Sequence, residues 1–208
     1  MEQVRSFLEK RLKERLPGEA AHVQMAPKSK TGNRLRFRHS DNPRLGAVMI
    51  LFFKKNDQWY FPLIQRPKYE GVHSGQMALP GGRFEPSDPD LITTALRETH
   101  EEIGVEPKDV EVLGQLSEFF VAASNHKVLP VVGFCDQEPK FVPDPTEVEE
   151  VILASLDELL DVNKLKAKQI TTTYGYQLQS PYFHLGEKVV WGATAMMLNE
   201  LRHILQEA

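Results

Sequence analysis

Apolar residues recur at helical spacing near both ends of the chain and at strand spacing, or in continuous runs, between them. Val4, Phe7, Leu8, Leu12 and Leu16 predict an amphipathic helix over 2–16, ended by Pro17-Gly18. Residues 17–43 show no clear period. The β-rich runs 47–53 and 59–65 flank Asn56-Asp57, a pair suited to a hairpin. A polar loop, 66–76, leads into Pro80-Gly81-Gly82, a tight turn whose glycines let a ligand approach the backbone. Ile92, Ala95, Leu96, Thr99 and Ile103 predict a helix over 89–103, with Asp88 as N-cap, Pro89 at its first position and Gly104 as its left-handed stop.

Beyond that helix, 110–120 and 127–135 read as strands joined through a Ser124-Asn125 turn. Pro139, Pro143 and Pro145 exclude helix and central strand over 136–146, so this stretch is a stiffened loop that presents Glu147, Glu149 and Glu150. A strand through 151–153 follows, and Ser155 to Glu158 fits a capping box opening a short helix to Asp161. Segments 170–178, 182–185 and 188–191 are strand-like, the last after a Gly186-Glu187 turn. A final amphipathic helix is expected over 193–206, with Thr194, Met197, Leu198, Leu201 and Leu205 on one stripe.

Composition narrows the classes. A length of 208 residues with 41% hydrophobic content suits one domain with a proper core: here 44–208, preceded by a helix and extended arm over 1–43. The first helix carries charges of both signs, which suits packing on that domain or on a second copy in a homodimer. A net charge of −4 gives no general attraction to nucleic acid, although Lys28, Lys30, Arg34, Arg36 and Arg38 make one stretch locally basic. The partner expected is a small molecule. Cys135 is the only cysteine, so neither an intrachain disulfide nor a cysteine zinc cluster is available. The N-terminus lacks a signal-peptide apolar core and the run 47–53 is far short of a membrane span, so the expected location is cytoplasmic.

The chemistry gathers on the helix after the glycine turn. At about 100° per residue, Glu98 and Glu102 stack one above the other and Glu101 lies within roughly 60° of Glu98. Three like charges at this spacing repel by roughly 0.2–0.5 kcal/mol per pair, and in the last turn they also oppose the helix dipole. A hard dication such as Mg²⁺ or Mn²⁺ reverses both effects, with the turn at Gly82 supplying a backbone oxygen. The same residues equally fit a solvated acidic face in which Arg97 and Glu101 form an i,i+4 pair. Arg66 and Lys68 are candidate phosphate contacts, Arg66 with a fork that binds phosphate bidentately. Among the loop glutamates, Glu147 is the choice by position to complete a metal site.

Gly82, Asp88, Arg97, Glu98, Glu101, Glu102, Gly104 and Val105 resemble the box of the Nudix hydrolases, G-x5-E-x7-R-E-U-x-E-E-x-G-U, with U a bulky apolar residue. Asp88 replaces the first Glu and eight residues, not seven, separate it from Arg97. The resemblance implies an α/β/α sandwich around a mixed β-sheet, with Mg²⁺ or Mn²⁺ held chiefly by Glu98 and Glu102, Glu101 assisting, and Arg97 orienting the carboxylates. It implies hydrolysis of a nucleoside diphosphate linked to another group. Leu63, Ile64, Arg66, Gly75, Pro80, Gly81 and Gly82 further resemble the signature L-L-x-x-R-S-x3-R-x3-G-x3-F-P-G-G of the coenzyme A pyrophosphatase subfamily. Pro67, Gly71 and Leu79 depart from it. An ADP-ribose or nucleotide-sugar pyrophosphatase would use the same helix with a different outer pocket.

Overall fold

The apolar run at 47–53 is the middle of the longest strand, and it is apolar throughout because both of its faces are covered. The computed structural model describes residues 2–29, 42–70, 73–171 and 177–208. In order, the elements are α1 (Glu2–Arg11), α2 (Glu19–His22), β1 (Lys28–Ser29), β2 (Arg44–Lys55), β3 (Gln58–Gln65), β4 (Met77–Ala78), β5 (Gly81–Arg83), α3 (Leu91–Ile103), β6 (Glu111–Gln115), β7 (Phe119–Val121), β8 (His126–Cys135), β9 (Glu150–Ser155), α4 (Leu156–Leu160), β10 (Leu165–Thr171), β11 (Gln177–Leu185), β12 (Lys188–Trp191) and α5 (Gly192–Leu205).

The main sheet is mixed. β2 runs parallel to β8 and antiparallel to β3 and β5, while β3 also pairs with β4 and β9, and β8 with β6 and β7. Alternate residues of β2 enter different cores: Met49, Leu51 and Phe53 meet Ala95 and Ile103 of α3, whereas Ile50 and Phe52 join Leu8 and Leu12, and Leu198 and Leu201 of α5. Helices therefore cover both faces, as the α/β/α sandwich requires. A smaller antiparallel sheet of β1, β10, β11 and β12 stands beside α5.

Most expected elements are present. Asn56 and Asp57 both take positive φ, 49° and 64°, and turn β2 into β3 with the twist a two-residue hairpin needs. The capping box forms at Ser155, whose hydroxyl accepts from Glu158 N at 3.1 Å while Glu158 Oε2 accepts from Ser155 N at 3.1 Å. The apolar side of α1 packs within the chain, burying Leu8 and Leu12.

Four expectations need correction. The first helix stops at Arg11, because Lys13 and Glu14 close on Lys10 and Arg11 in tighter i→i−3 bonds and Arg11 Nη1 donates to Arg15 O. The aperiodic stretch after it contains α2, too short to show a period. The strand expected over 110–120 is broken into β6 and β7, because Pro130, opposite Leu116, has no N–H to return, and Ser117 donates instead to Glu200. Segment 170–178 is not one strand but the ends of two, β10 and β11, with Ile170 opposite Leu178. Residues 172–176 of that segment lie outside the described residues. Lys30, Arg34, Arg36, Arg38 and Gly71 lie outside the described residues.

Gly104 ends α3 at φ 73°, donating its N–H to His100 O at 2.8 Å, and a Cβ there would press on Val142 Cβ at 2.8 Å. Gly104→Ala is expected to cost more than about 1 kcal/mol, lowering Tm by roughly 2–4 °C per kcal/mol in a chain of this size. Thermal melts check this. Turnover should fall as well, because Val142 opens the loop that carries Glu147.

Candidate active site

Three elements bring the site together: the β4–β5 turn, the face of α3 beside it, and the proline-rich loop before β9. The turn is held on β2 by register, Gly81 opposite Val48 and Gly82 opposite Ala47, and by Met49 N donating to Pro80 O at 2.8 Å. A Cβ at residue 82 would fall on the Glu98 carboxylate, so any side chain there would push that carboxylate out of its place. The loop is fastened to the open end of α3, with Val142 N donating to Ile103 O at 2.9 Å and Asp144 N to Glu102 O at 3.0 Å. Asp144 then accepts from both the amide and the hydroxyl of Thr146 at 2.8 Å, an Asx turn that swings Glu147 back over the helix.

The outcome is a group of three carboxylates, Glu98, Glu102 and Glu147, each offering an oxygen within 4.8 Å of the others. Glu102 is only 1% exposed. Its Oε2 accepts from Gly81 N at 2.7 Å, while its Oε1 is buried without a hydrogen-bond partner and faces Arg66 Nη2 at 3.7 Å. Burial pushes the Glu102 carboxyl up to about 7; the Gly81 amide and Arg66 oppose this, and Glu98 and Glu147 add to it. Glu98, half-buried, is raised by burial too, against the pull of Arg97. A buried oxygen lacking a donor, beside two more carboxylates, fits a hard dication. Glu98, Glu102 and Glu147 would hold it, supplying the positive charge that relieves their repulsion.

Arg97 ties the acidic groups to the turn. Its Nε and Nη2 donate to the two oxygens of Asp88, each at 3.0 Å, its Nη1 to Glu98 at 3.1 Å and Glu101 at 2.8 Å, and its Nη2 also to Arg83 O at 2.8 Å. Asp88 is consequently not the helix cap. It is 6% exposed, turned inward onto Arg97, the Thr94 hydroxyl and the Glu85 amide, and the Arg97 hydrogen bonds hold its carboxyl well below the usual range. The cap is Asp90, whose Oδ1 accepts from Thr93 N at 2.7 Å. Two aspartates compete for the position, and the one that meets Arg97 is drawn out of it. The helix accordingly starts at Leu91, not Pro89.

The remaining site residues divide. Glu101 is 54% exposed and sits on Arg97, outside the group of three. The Gly82 carbonyl lies against Gly46 of β2, because antiparallel pairing directs it there. The turn oxygen on the carboxylate side is that of Gly81, which accepts from Arg66 Nη2 at 3.4 Å, the same nitrogen that faces Glu102. Arg66 thus reaches the site, whereas Lys68 packs against Gly75. Glu149 turns to Gln65 and Glu150 to Lys188. Sequence reasoning missed Asp144, although Asp144-Pro145-Thr146 is itself a turn signal.

A NUDIX domain model matches residues 43–174. The chain belongs to the Nudix hydrolase family. Nudix hydrolase 15, mitochondrial, of Arabidopsis thaliana is 35% identical over 182 residues, covering 84% of this chain and 61% of that protein. An uncharacterized Nudix hydrolase of Photorhabdus laumondii, NudL, is 30% identical over 169 residues, 81% of this chain and 89% of its own length. The peroxisomal coenzyme A diphosphatase NUDT7 of Mus musculus is 33% identical over 136 residues, 65% of this chain and 57% of that protein. The chain thus spans less than two thirds of the first and third of these. Among solved structures, the Nudix hydrolase RenU from M. smegmatis superposes with a TM-score of 0.56 at 18% identity, over 87% of this chain and 94% of that one, a shared fold. Among the described residues no helix is long and apolar enough to cross a membrane.

Proposed function

We propose that this chain is a divalent-metal-dependent hydrolase that cleaves the pyrophosphate linkage of a nucleoside diphosphate derivative, with coenzyme A or an acyl-coenzyme A as substrate. The observation that carries the reading is the Glu98, Glu102 and Glu147 group around Glu102 Oε1, buried without a hydrogen-bond partner. Mg²⁺ or Mn²⁺ bound there would neutralise phosphate oxygens and acidify water. The Gly81 amide fixes Glu102 and Arg97 fixes Glu98, while Glu147, the exposed member of the group, would take a proton from the attacking water. Arg66, anchored between Gly81 O and Glu102, presents its remaining N–H groups to a phosphate. The catalytic unit is residues 44–208, acting in the cytoplasm on a small-molecule nucleotide without nucleic acid or membrane partners; α1 and α2 pack upon it.

Coenzyme A is favoured by the run from Leu63 to Gly82 and by the likeness to NUDT7. An ADP-ribose or nucleotide-sugar substrate is favoured by one observation, Gly71 in place of the subfamily's second arginine. Steady-state assays with each metal decide between them. We expect a higher kcat/KM for coenzyme A than for ADP-ribose, with adenosine 3′,5′-bisphosphate and 4′-phosphopantetheine as products. A preference for ADP-ribose with both metals would replace the substrate and leave the carboxylate site standing.

A further inference from the structure

Beside the catalytic turn, the end of the main sheet collects positive charge. Arg83 follows Gly82 and stands opposite Gly46 of β2, while His126, first residue of β8, stands opposite Arg44 of β2. Side chains alternate across a strand, and Gly82 faces Glu98, so Arg83 points to the other side of the sheet. Arg44 is two residues from Gly46 and shares that side, with His126 level with it on the next strand. Strand spacing sets Arg44 and His126 on the order of 5 Å apart at their backbones, while Arg83, on the other edge of β2, is roughly 8 Å from Arg44 and about 12 Å from His126, gaps that the long arginine side chains reach across.

The space between them is kept open. A Cβ at Gly46 would fall on Gly82 O, so no side chain can fill the floor between Arg44 and Arg83. Among the described residues the arginine ion pairs are those of Arg5, Arg11, Arg66 and Arg97, which leaves Arg44 and Arg83, both exposed, without a carboxylate. His126 is half-buried, and after burial itself the groups that disfavour its charged form are Arg83, Arg44 and His73. His73 in turn feels Arg66, so basic side chains run from the carboxylate site round the end of the sheet. Basic groups with no counter-charge among the described residues disfavour one another's charge, and a bound anion removes that penalty.

We infer that Arg44, Arg83 and His126 form a second anion subsite, which takes a phosphate monoester on the nucleoside half of the substrate. The inference rests on the nucleotide reading of the neighbouring site and sharpens it. In coenzyme A the 3′-phosphate and the 5′-linked pyrophosphate sit on one ribose, and here the second cluster begins one residue after the catalytic turn. ADP-ribose carries no such phosphate. The subsite also supplies, from β2, β5 and β8, the positive charge that Gly71 does not.

The test uses the full chain and its variant Arg44→Ala/Arg83→Ala, which keeps the Arg83 carbonyl that Arg97 uses. Calorimetric titration with adenosine 3′,5′-bisphosphate and with adenosine 5′-monophosphate should show the wild type binding the bisphosphate roughly tenfold to a hundredfold more tightly, and the variant binding both alike. In turnover, KM for coenzyme A should rise by the same factor while KM for 3′-dephospho-coenzyme A stays within about twofold. Equal binding of the two nucleotides by the wild type, or equal losses for both in the variant, overturns the subsite. If coenzyme A is not hydrolysed yet the bisphosphate preference is present and lost in the variant, the subsite stands and the substrate reading falls. Should the double variant melt early, Arg44→Gln alone, at an exposed strand end, carries the same comparison.

Discussion

Glu102→Gln is expected to reduce turnover by more than about a hundredfold, beyond the 10–100-fold typical of groups that only support a metal ligand, without lowering the Tm of the metal-free protein. The two effects separate because Glu102 is costly to keep charged when nothing binds it. Its folded carboxyl lies at about 7 and its ordinary value is 4.5. Below 4.5 it is neutral in both states and costs nothing. As pH rises from 4.5 to 7 the unfolded chain ionises first, so stability is lost across that window by an amount on the order of 3 kcal/mol. Gln does not titrate, so the wild-type and variant melting curves should diverge over the same window. The gain will fall short of the full figure because a Gln amide turns an N–H₂ toward Arg66. Added Mg²⁺ or Mn²⁺ should raise the wild-type Tm and not the variant's, and a chelator should reverse this. Near wild-type turnover at saturating metal would remove Glu102 from the site.

How far the site was legible in sequence depended on whether a residue's partner was local. Glu98, Glu102 and Arg97 share one helix, and 3.6 residues per turn places them without knowledge of the fold. Gly104 was legible for a similar reason, since it answers a local backbone demand at the end of α3. Asp88 was misplaced because its partner, Arg97, lies beyond a loop of no fixed geometry, and Asp90 offered the same capping chemistry. Glu101 shares the helix edge with Glu98, but angular position cannot say that Arg97 holds it away from the group. The broken strand at Ser117 was likewise invisible, since it needs Pro130 placed opposite Leu116 and Glu200, far along the chain in α5, to take the Ser117 bonds. The basic residues of the sheet end were scattered in sequence at 44, 83 and 126, and only register joins them.

Arg97→Lys should have the second large effect, and it separates positioning from mere support. Arg97 makes five hydrogen bonds to four groups, Asp88, Glu98, Glu101 and Arg83 O, from a rigid planar fork. A lysine ammonium has three donors on a flexible stem and cannot hold Asp88 bidentately while reaching Glu98. With Asp88 buried and Arg97 partly exposed, loosening the pair should cost about 2–4 kcal/mol, below or within the range for fully buried pairs. Turnover should drop roughly tenfold to a hundredfold, because Glu98 loses the bond that aims it. The diagnostic is the split: kcat falls and metal affinity weakens, while KM stays within about threefold, since Arg97 is spent on protein groups and not on substrate. Asp88→Asn is the companion variant. It keeps the shape but removes the charge that Arg97 grips, so it should reproduce the loss of kcat in milder form. The pH dependence has a definite sign: Asp88 is held below its ordinary 3.8, so its contribution is present above that value and is lost as pH falls below it. The gap between wild type and Asp88→Asn should therefore be constant above about pH 4 and close progressively as pH falls below that value toward the depressed folded one. A normal kcat with a raised KM in Arg97→Lys would instead place that guanidinium on the substrate, and the positioning role would have to be given up.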